Sequence, residues 1–458
     1  MRQNSLFSGL QRLNSRHYLL IITIIFIASR ALIFISEKDD FLNILLQQDD
    51  GVVYQELSLI WQGEATYESL NRSPFVRVPL YPVFLAVVSK ISYPHNIPTV
   101  FLIQQVIQYV IIVSVFLYIK RYHSLVTAGL LAITLTLFFD FTLYGFLIRP
   151  EVLFSAFILF ASIAYLKTFS SKSYLWPLLT GLLFGLATLS KPIAALIFIP
   201  LSSVSVFIPI MRKQSPRRGL KHAALIAFSL FIVTSPWLLR NYSLTGSLIL
   251  QQDTGNIIHA TTPGGHWSSF DIQEAISTEG KSSLAIDQEV TALAITRIKQ
   301  NPSIWIRNSL KNFTFRLWSM GFTDTHLRYF GYSDTEGGYH KSLGASLFQR
   351  LVHSINIFSP SHTIHPVSHL YLITNNVIGF SMIPITLLGL ILLPFLKPSS
   401  RKLFTVLLYF WVLTSFFAFS GSRYMVPLVP ILFLILPDYP EAIQKLLRFS
   451  KIQTNKNI

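Results

Sequence analysis

Runs of about twenty residues with almost no charge recur along this chain, and a helix of that length and polarity is stable in a lipid bilayer. Ten such runs are read: 17–35, 98–119, 125–144, 151–166, 174–190, 192–210, 223–239, 369–396, 403–419 and 424–436. The chain is 51% hydrophobic and only 13% charged, whereas a soluble domain carries about 25% charged residues. The expected fold class is therefore an all-α polytopic membrane protein with about ten transmembrane helices. The first run follows Arg2, Arg12 and Arg16, exceeds a signal-peptide core and lacks a small-residue cleavage site after it, which predicts a retained helix with a cytoplasmic N-terminus. There is no cysteine, so disulfides, thiolate metal sites and a cysteine nucleophile are excluded.

Orientation turns on the segment 78–91, VPLYPVFLAVVSKI, which is short for a bilayer and opens with two prolines. With this segment left outside, the basic clusters fall on one side: Lys120 and Arg121; Lys167 and Lys172; Arg212, Lys213, Arg217, Arg218 and Lys221; Lys397, Arg401 and Lys402. The C-terminal tail adds Lys445, Arg448, Lys451 and Lys456. The positive-inside rule makes this the cytoplasmic side and both termini cytoplasmic. The net charge of +16 is thus spent on orientation, and nucleic acid is not an expected partner.

Three regions follow. Residues 1–239 form a transmembrane module whose first external loop is 36–97, residues 240–368 form a small external domain, and 369–458 carry the last spans and the basic tail. In the external domain a helix is expected over 283–300, stopped by Asn301-Pro302, and an interfacial one over 303–318, where Arg307, Lys311 and Arg316 alternate with Trp305, Leu310, Phe313 and Trp318.

Two groups of charged residues share the external side. The acids are the Asp49-Asp50 doublet in the first loop and Glu151, which opens a span after Arg149-Pro150. Acids at helix starts suit the helix dipole, yet ionisable groups at membrane depth also line cavities. The cations are Arg77, Lys191, Arg240 and Arg423. Each taken singly reads as an interface anchor; four on the side where orientation disfavours cations fit a membrane-embedded phosphate. Arg30, inside the first span, joins them or snorkels.

In order along the chain, Asp50 with Tyr54, Arg77-Val78-Pro79-Leu80-Tyr81-Pro82, Arg149-Pro150-Glu151, Gly181 through Gly185 to Lys191-Pro192, Pro236-Trp237 through Arg240-Asn241-Tyr242, and Arg423-Tyr424 through Pro427 and Pro430 resemble the GT-C membrane glycosyltransferases of the protein O-mannosyltransferase and lipid A aminoarabinose transferase type. The chain departs from that pattern at Val78, where the family often has a proline, and the Asp49-Asp50 doublet leaves the base open by one residue. The resemblance implies external loops over a helical bundle, inverting transfer, Asp50 as the catalytic carboxylate and a substrate pocket including Tyr54, Tyr81 and Tyr424. It also implies a polyprenyl (undecaprenyl) phosphate donor. The external segment has no room for the large carbohydrate-binding modules of eukaryotic members, which favours a bacterial inner membrane with an active site on the periplasmic face.

The same chemistry follows from the residues. A phosphate leaves without a general acid, because its second pKa lies near about 6. A carboxylate must take the acceptor's proton, for which Asp50 is the candidate, and fixed cations must meet the developing charge, for which Arg77 is proposed with Lys191, Arg240 or Arg423. Glu151 orients the acceptor, shares a metal or holds Asp50. No cofactor is required; Mg or Mn suits the hard oxygens of Asp49, Asp50 and Glu151. The histidines of the external domain are scattered, and His362 and His365 read as loop residues rather than a zinc site. The acceptor is a lipid, a glycan or a protein. Two alternatives stand beside the transferase: a secondary transporter or lipid-linked sugar flippase, which calls for inverted repeats that the sequence lacks, and a glycan ligase or polymerase.

Overall fold

The computed structural model describes residues 13–36, 49–93, 96–197, 216–252, 280–318, 384–417 and 425–456, together with positions 258, 262, 378, 381 and 382. Among the described residues all regular structure is helical. Helix α1, Ser15–Ser36, is followed by α2, Asp49–Gln62, and α3, Leu80–Ser92. Next come α4, Asn96–Tyr122, α5, Leu125–Leu137, and the short α6, Phe139–Leu143. Helix α7 is Glu151–Ser170, α8 Leu175–Ser190 and α9 Pro216–Thr245. Helices α10, Ser283–Gln300, and α11, Pro302–Trp318, lie in the segment expected outside; α12, Pro398–Phe417, α13, Val429–Ile435, and α14, Tyr439–Lys456, complete the order.

Five described helices are long and apolar enough to cross a membrane, and six if the bent pair α5–α6 counts as one span. The expectation for 125–144 was a single continuous helix. It is instead broken at Phe138, where the axis turns by 61°. No proline or glycine sits at the turn; polar side chains from two other helices take up the carbonyls it exposes. Arg30 of α1 donates to the Thr136 carbonyl at 2.9 Å, Gln108 of α4 donates to the Phe141 carbonyl, and Gln104 donates to those of Gly145 and Leu147 at 3.2 and 2.9 Å. In a medium without water an exposed carbonyl must find a protein donor, and these supply it. A side chain at Gly145 would meet the amide ends of Gln105 and Gln108, which would have to shift to admit it.

Helix α3 spans 13 residues and buries Tyr81, Pro82, Leu85, Ala86 and Val88. Its length fits the reading of 78–91 as a non-spanning segment. Helices α8 and α9 pack closely because Gly181 and Gly185 face Ile226, Ser229 and Val233, where any Cβ would clash. The external helices lie where the sequence placed them: Ser282 caps α10 by accepting from the Ala285 amide at 3.3 Å, and α11 sets Trp305 edge-on against Phe416 of α12, ring centroids 5.3 Å apart. The last span, expected to end at 436, continues through a 3-10 turn into α14, so the basic tail is an amphipathic helix. The greater part of 240–368, and with it the expected histidine loops, lies outside the described residues.

Candidate active site

The first acid sits at the start of α2. Asp50 accepts a hydrogen bond from Arg77 Nη2 at 2.8 Å, with both side chains about four-fifths buried. Arg77 also donates to the Val76 carbonyl at 2.8 Å and lies 5.9 Å from the centre of the Tyr54 ring, one turn along α2 from Asp50. Tyr54 in turn meets Tyr81 of α3 edge-to-face at 5.0 Å. The loop joining α2 to α3 thus folds back on α2, held also by a 2.6 Å ion pair between Arg72 and Glu56.

The second acid opens α7. Glu151 accepts from Lys191 Nζ at 2.8 Å, and the two side chains are 2% and 6% exposed. Lys191 ends α8, its backbone leaving the helix in an extended conformation ahead of Pro192, so that α7 and α8 bring the pair together at one end of their antiparallel packing.

Tyr81 joins the two acids. Its hydroxyl donates to Gln104 Oε1 at 2.8 Å, and Gln104 holds the Gly145 and Leu147 carbonyls that lead into Arg149-Pro150-Glu151. Burial pushes the Tyr81 hydroxyl well above its ordinary pKa, and the Glu151 charge adds to the rise. Tyr81 therefore stays protonated, and it stands within electrostatic reach of both Glu151 and Arg149. Gln104 is a connecting residue that sequence reasoning misses, because a lone glutamine in an apolar run carries no local signal of its partner.

Three of the four expected phosphate-binding cations, those among the described residues, are already engaged. Arg77 and Lys191 are paired with acids. Arg240 donates to the Pro74 carbonyl and to Asn241 Oδ1, both at 2.8 Å, and its guanidinium stacks near Trp237, Tyr67 and Phe75 at 4.6, 5.4 and 5.9 Å. It clamps the end of α9 onto the loop that carries Arg77. Trp237 donates to the Leu250 carbonyl at 2.7 Å and the Gln252 amide to the Phe75 carbonyl at 2.7 Å, extending the same clamp. Arg30 is buried against Phe26 and bonded to Ser29, Gln105 and the Thr136 carbonyl, so it belongs to the broken span. Arg149, read in the sequence within the Arg149-Pro150-Glu151 helix start, has a buried Nε without a hydrogen-bond partner.

Asp49 lies in the first turn of α2, its side chain outside the described set, and Arg423 and Tyr424 lie outside the described residues altogether. Among the described residues no three of His, Cys, Asp and Glu come together as a metal site. Asp50 and Glu151, the described carboxylates of the expected metal set, each face a cation.

Residues 74–239 match the family described as dolichyl-phosphate-mannose-protein mannosyltransferase. The matched stretch contains Arg77, Tyr81, Glu151, Lys191 and the α8–α9 packing, and begins after Asp50. Among solved structures, the oligosaccharyltransferase of Archaeoglobus fulgidus tethered to an acceptor peptide with an NVT sequon is 12% identical, covering 94% of this chain and 56% of that one, with a TM-score of 0.40. The archaeal oligosaccharyltransferase AglB from the same organism, with an inhibitory peptide and a dolichol-phosphate, is 14% identical over 93% of this chain and 55% of that one, TM-score 0.36. A complex of the Archaeoglobus fulgidus oligosaccharyltransferase with Zn and sulfate gives 12% identity, 93% and 53% coverage, and a TM-score of 0.39. This chain spans about half the length of those structures. No curated protein sequence matches it.

Proposed function

We propose, from the match of residues 74–239 to the dolichyl-phosphate-mannose-protein mannosyltransferase family, that this protein moves a monosaccharide from a polyprenyl phosphate to an acceptor outside the cytoplasm, with inversion at the anomeric carbon. The family's description supplies the donor class, a sugar on a polyprenyl phosphate, and an acceptor class, protein; lipid and glycan acceptors fit the same chemistry. The setting in this reading is a bacterial inner membrane with the site on the periplasmic face.

In the reaction the acceptor oxygen forms a bond to the anomeric carbon as the bond from that carbon to the phosphate oxygen breaks. The acceptor's proton passes to Asp50, and the electron pair leaves with the phosphate. Arg77 fixes the rotamer of Asp50, as general-base catalysis requires of its carboxylate. Lys191 holds Glu151 in the same way, and Glu151 orients the acceptor. Tyr54 and Tyr81, stacked edge to face beside the Asp50–Arg77 pair, contribute to the substrate pocket. Arg240 sets the Arg77 loop in place.

The observation that carries this reading is the pairing of two acids with two cations at sites bridged by Tyr54, Tyr81 and Gln104. Membranes containing the protein, supplied with a polyprenyl-phosphate monosaccharide, should form a glycosylated product visible by mass spectrometry. Asp50→Asn should lower the rate by about 100-fold or more, the range of a lost general base. Turnover close to that of the unaltered protein would remove Asp50 from the role.

A further inference from the structure

Of the cations near the two acids, Arg77 is held by Asp50 at 2.8 Å, Lys191 by Glu151 at 2.8 Å, and Arg240 by the Pro74 carbonyl and Asn241 at 2.8 Å. Arg149 differs. Among the described residues its guanidinium makes no hydrogen bond or ion pair, and its Nε is fully buried. A guanidinium nitrogen buried without a partner is costly. The fold nevertheless fixes it: Pro150 follows it, α7 begins at Glu151, and Gln104 holds the Gly145 and Leu147 carbonyls just before it. Its nearest acid in sequence, Glu151, is committed to Lys191.

We infer that Arg149 is the residue that receives the phosphate of the lipid-linked donor. This rests on the transferase reading above and assigns the phosphate to a residue other than the four expected from sequence. The planar guanidinium offers parallel donors to phosphate oxygens. The leaving lipid phosphate gains charge as the sugar departs, to about −1.5 to −2 for a phosphate monoester, so a cation already fixed at the site is suited to stabilise it. Arg149 also lies within electrostatic reach of Tyr81, which links it to the Asp50 side of the site.

The full chain in detergent micelles is tested with undecaprenyl phosphate, with undecaprenol as the uncharged lipid and with inorganic phosphate as the free anion. The unaltered protein should bind the phosphorylated lipid at least about tenfold more tightly than either control. Arg149→Gln should remove most of that preference, weakening binding by about tenfold or more, and Arg149→Lys should restore part of it. Retention of affinity within twofold in Arg149→Gln would overturn the assignment while leaving the transferase reading intact. No preference for the phosphorylated lipid in the unaltered protein would sink both. Should Arg149→Gln fail to fold, the unaltered protein gives the same answer: undecaprenyl phosphate, and not undecaprenol, should protect Arg149 from phenylglyoxal as read by peptide mass spectrometry. An unprotected Arg149 would refute the inference, as would equal protection by inorganic phosphate at matched concentration.

Discussion

Replacing either partner of the Glu151–Lys191 pair should unfold the protein more readily, whereas replacing both should restore stability without restoring transfer. The two side chains are 2% and 6% exposed and meet at 2.8 Å. At an effective dielectric constant of about 20, unit charges at that distance attract by roughly 6 kcal/mol. Bringing each ion out of water costs several kcal/mol, so the assembled pair is close to neutral in net stability. A single substitution is not neutral. Glu151→Gln strands the Lys191 ammonium, and Lys191→Met strands the Glu151 carboxylate; each should cost about 3–5 kcal/mol. The double variant Glu151→Gln/Lys191→Met strands neither, and its loss should fall to about 1 kcal/mol or less. Thermal or denaturant unfolding in one detergent measures the stability cycle, and transfer from a polyprenyl-phosphate sugar is followed in the same preparations. Single variants within about 1 kcal/mol of the parent would refute the buried pair itself. A stable double variant with full turnover would show that the pair only staples α7 to α8.

Three further outcomes follow from the packing and the charge distribution. Arg240→Ala removes bonds to the Pro74 carbonyl and Asn241 and the stacking on Trp237, and should cost about 2 kcal/mol and expose the loop at residues 72–78 to limited proteolysis; an unchanged digestion pattern would count against the clamp. Gly185→Leu should push α8 from α9, where a side chain meets Val233, with a loss of about 1–3 kcal/mol in thermal or chemical unfolding, and an undisturbed protein would show that the two helices are not in contact. Burial pushes the His123 imidazole below its ordinary pKa, with the Asp438 carboxylate opposing. The unfolded chain then binds the proton first, so this stability is present above about pH 6.5 and is lost as pH falls below it through the lowered value. His123→Gln should flatten that decline, and an unaltered pH profile would exclude His123 as its source.

The apolar runs made the helices legible, because length and uncharged character are local properties. The external helices were equally plain, since Ser282 and Asn301-Pro302 mark the limits of α10 in the sequence itself. The break at Phe138 was not, although its signs were present: Asp140 within one apolar run, Arg30 in another, and Gln104, Gln105 and Gln108 in a third. Each is an isolated polar residue until the fold brings Arg30, Gln104 and Gln108 to the carbonyls around the break. Likewise 27 residues separate Asp50 from Arg77 and 40 separate Glu151 from Lys191. The sequence grouped acids with acids and cations with cations by the side of the membrane they share. It carried no information on which acid would take which cation.

That pairing bears on why the charges are there at all. A buried ion pair seldom adds net stability over apolar side chains of the same volume, and α7 and α8 have no shortage of apolar contacts. Stability alone therefore gives little reason for Glu151 and Lys191 to be buried together, or for Asp50 and Arg77 to be mostly withdrawn from water. Chemistry at the edge of a bilayer gives one. A carboxylate that takes a proton must be charged before the acceptor arrives, and at this depth an adjacent cation is what allows it to remain so. With Arg77 and Lys191 each held by an acid, the incoming phosphate goes in this proposal to Arg149, whose Nε is buried without a hydrogen bond among the described residues.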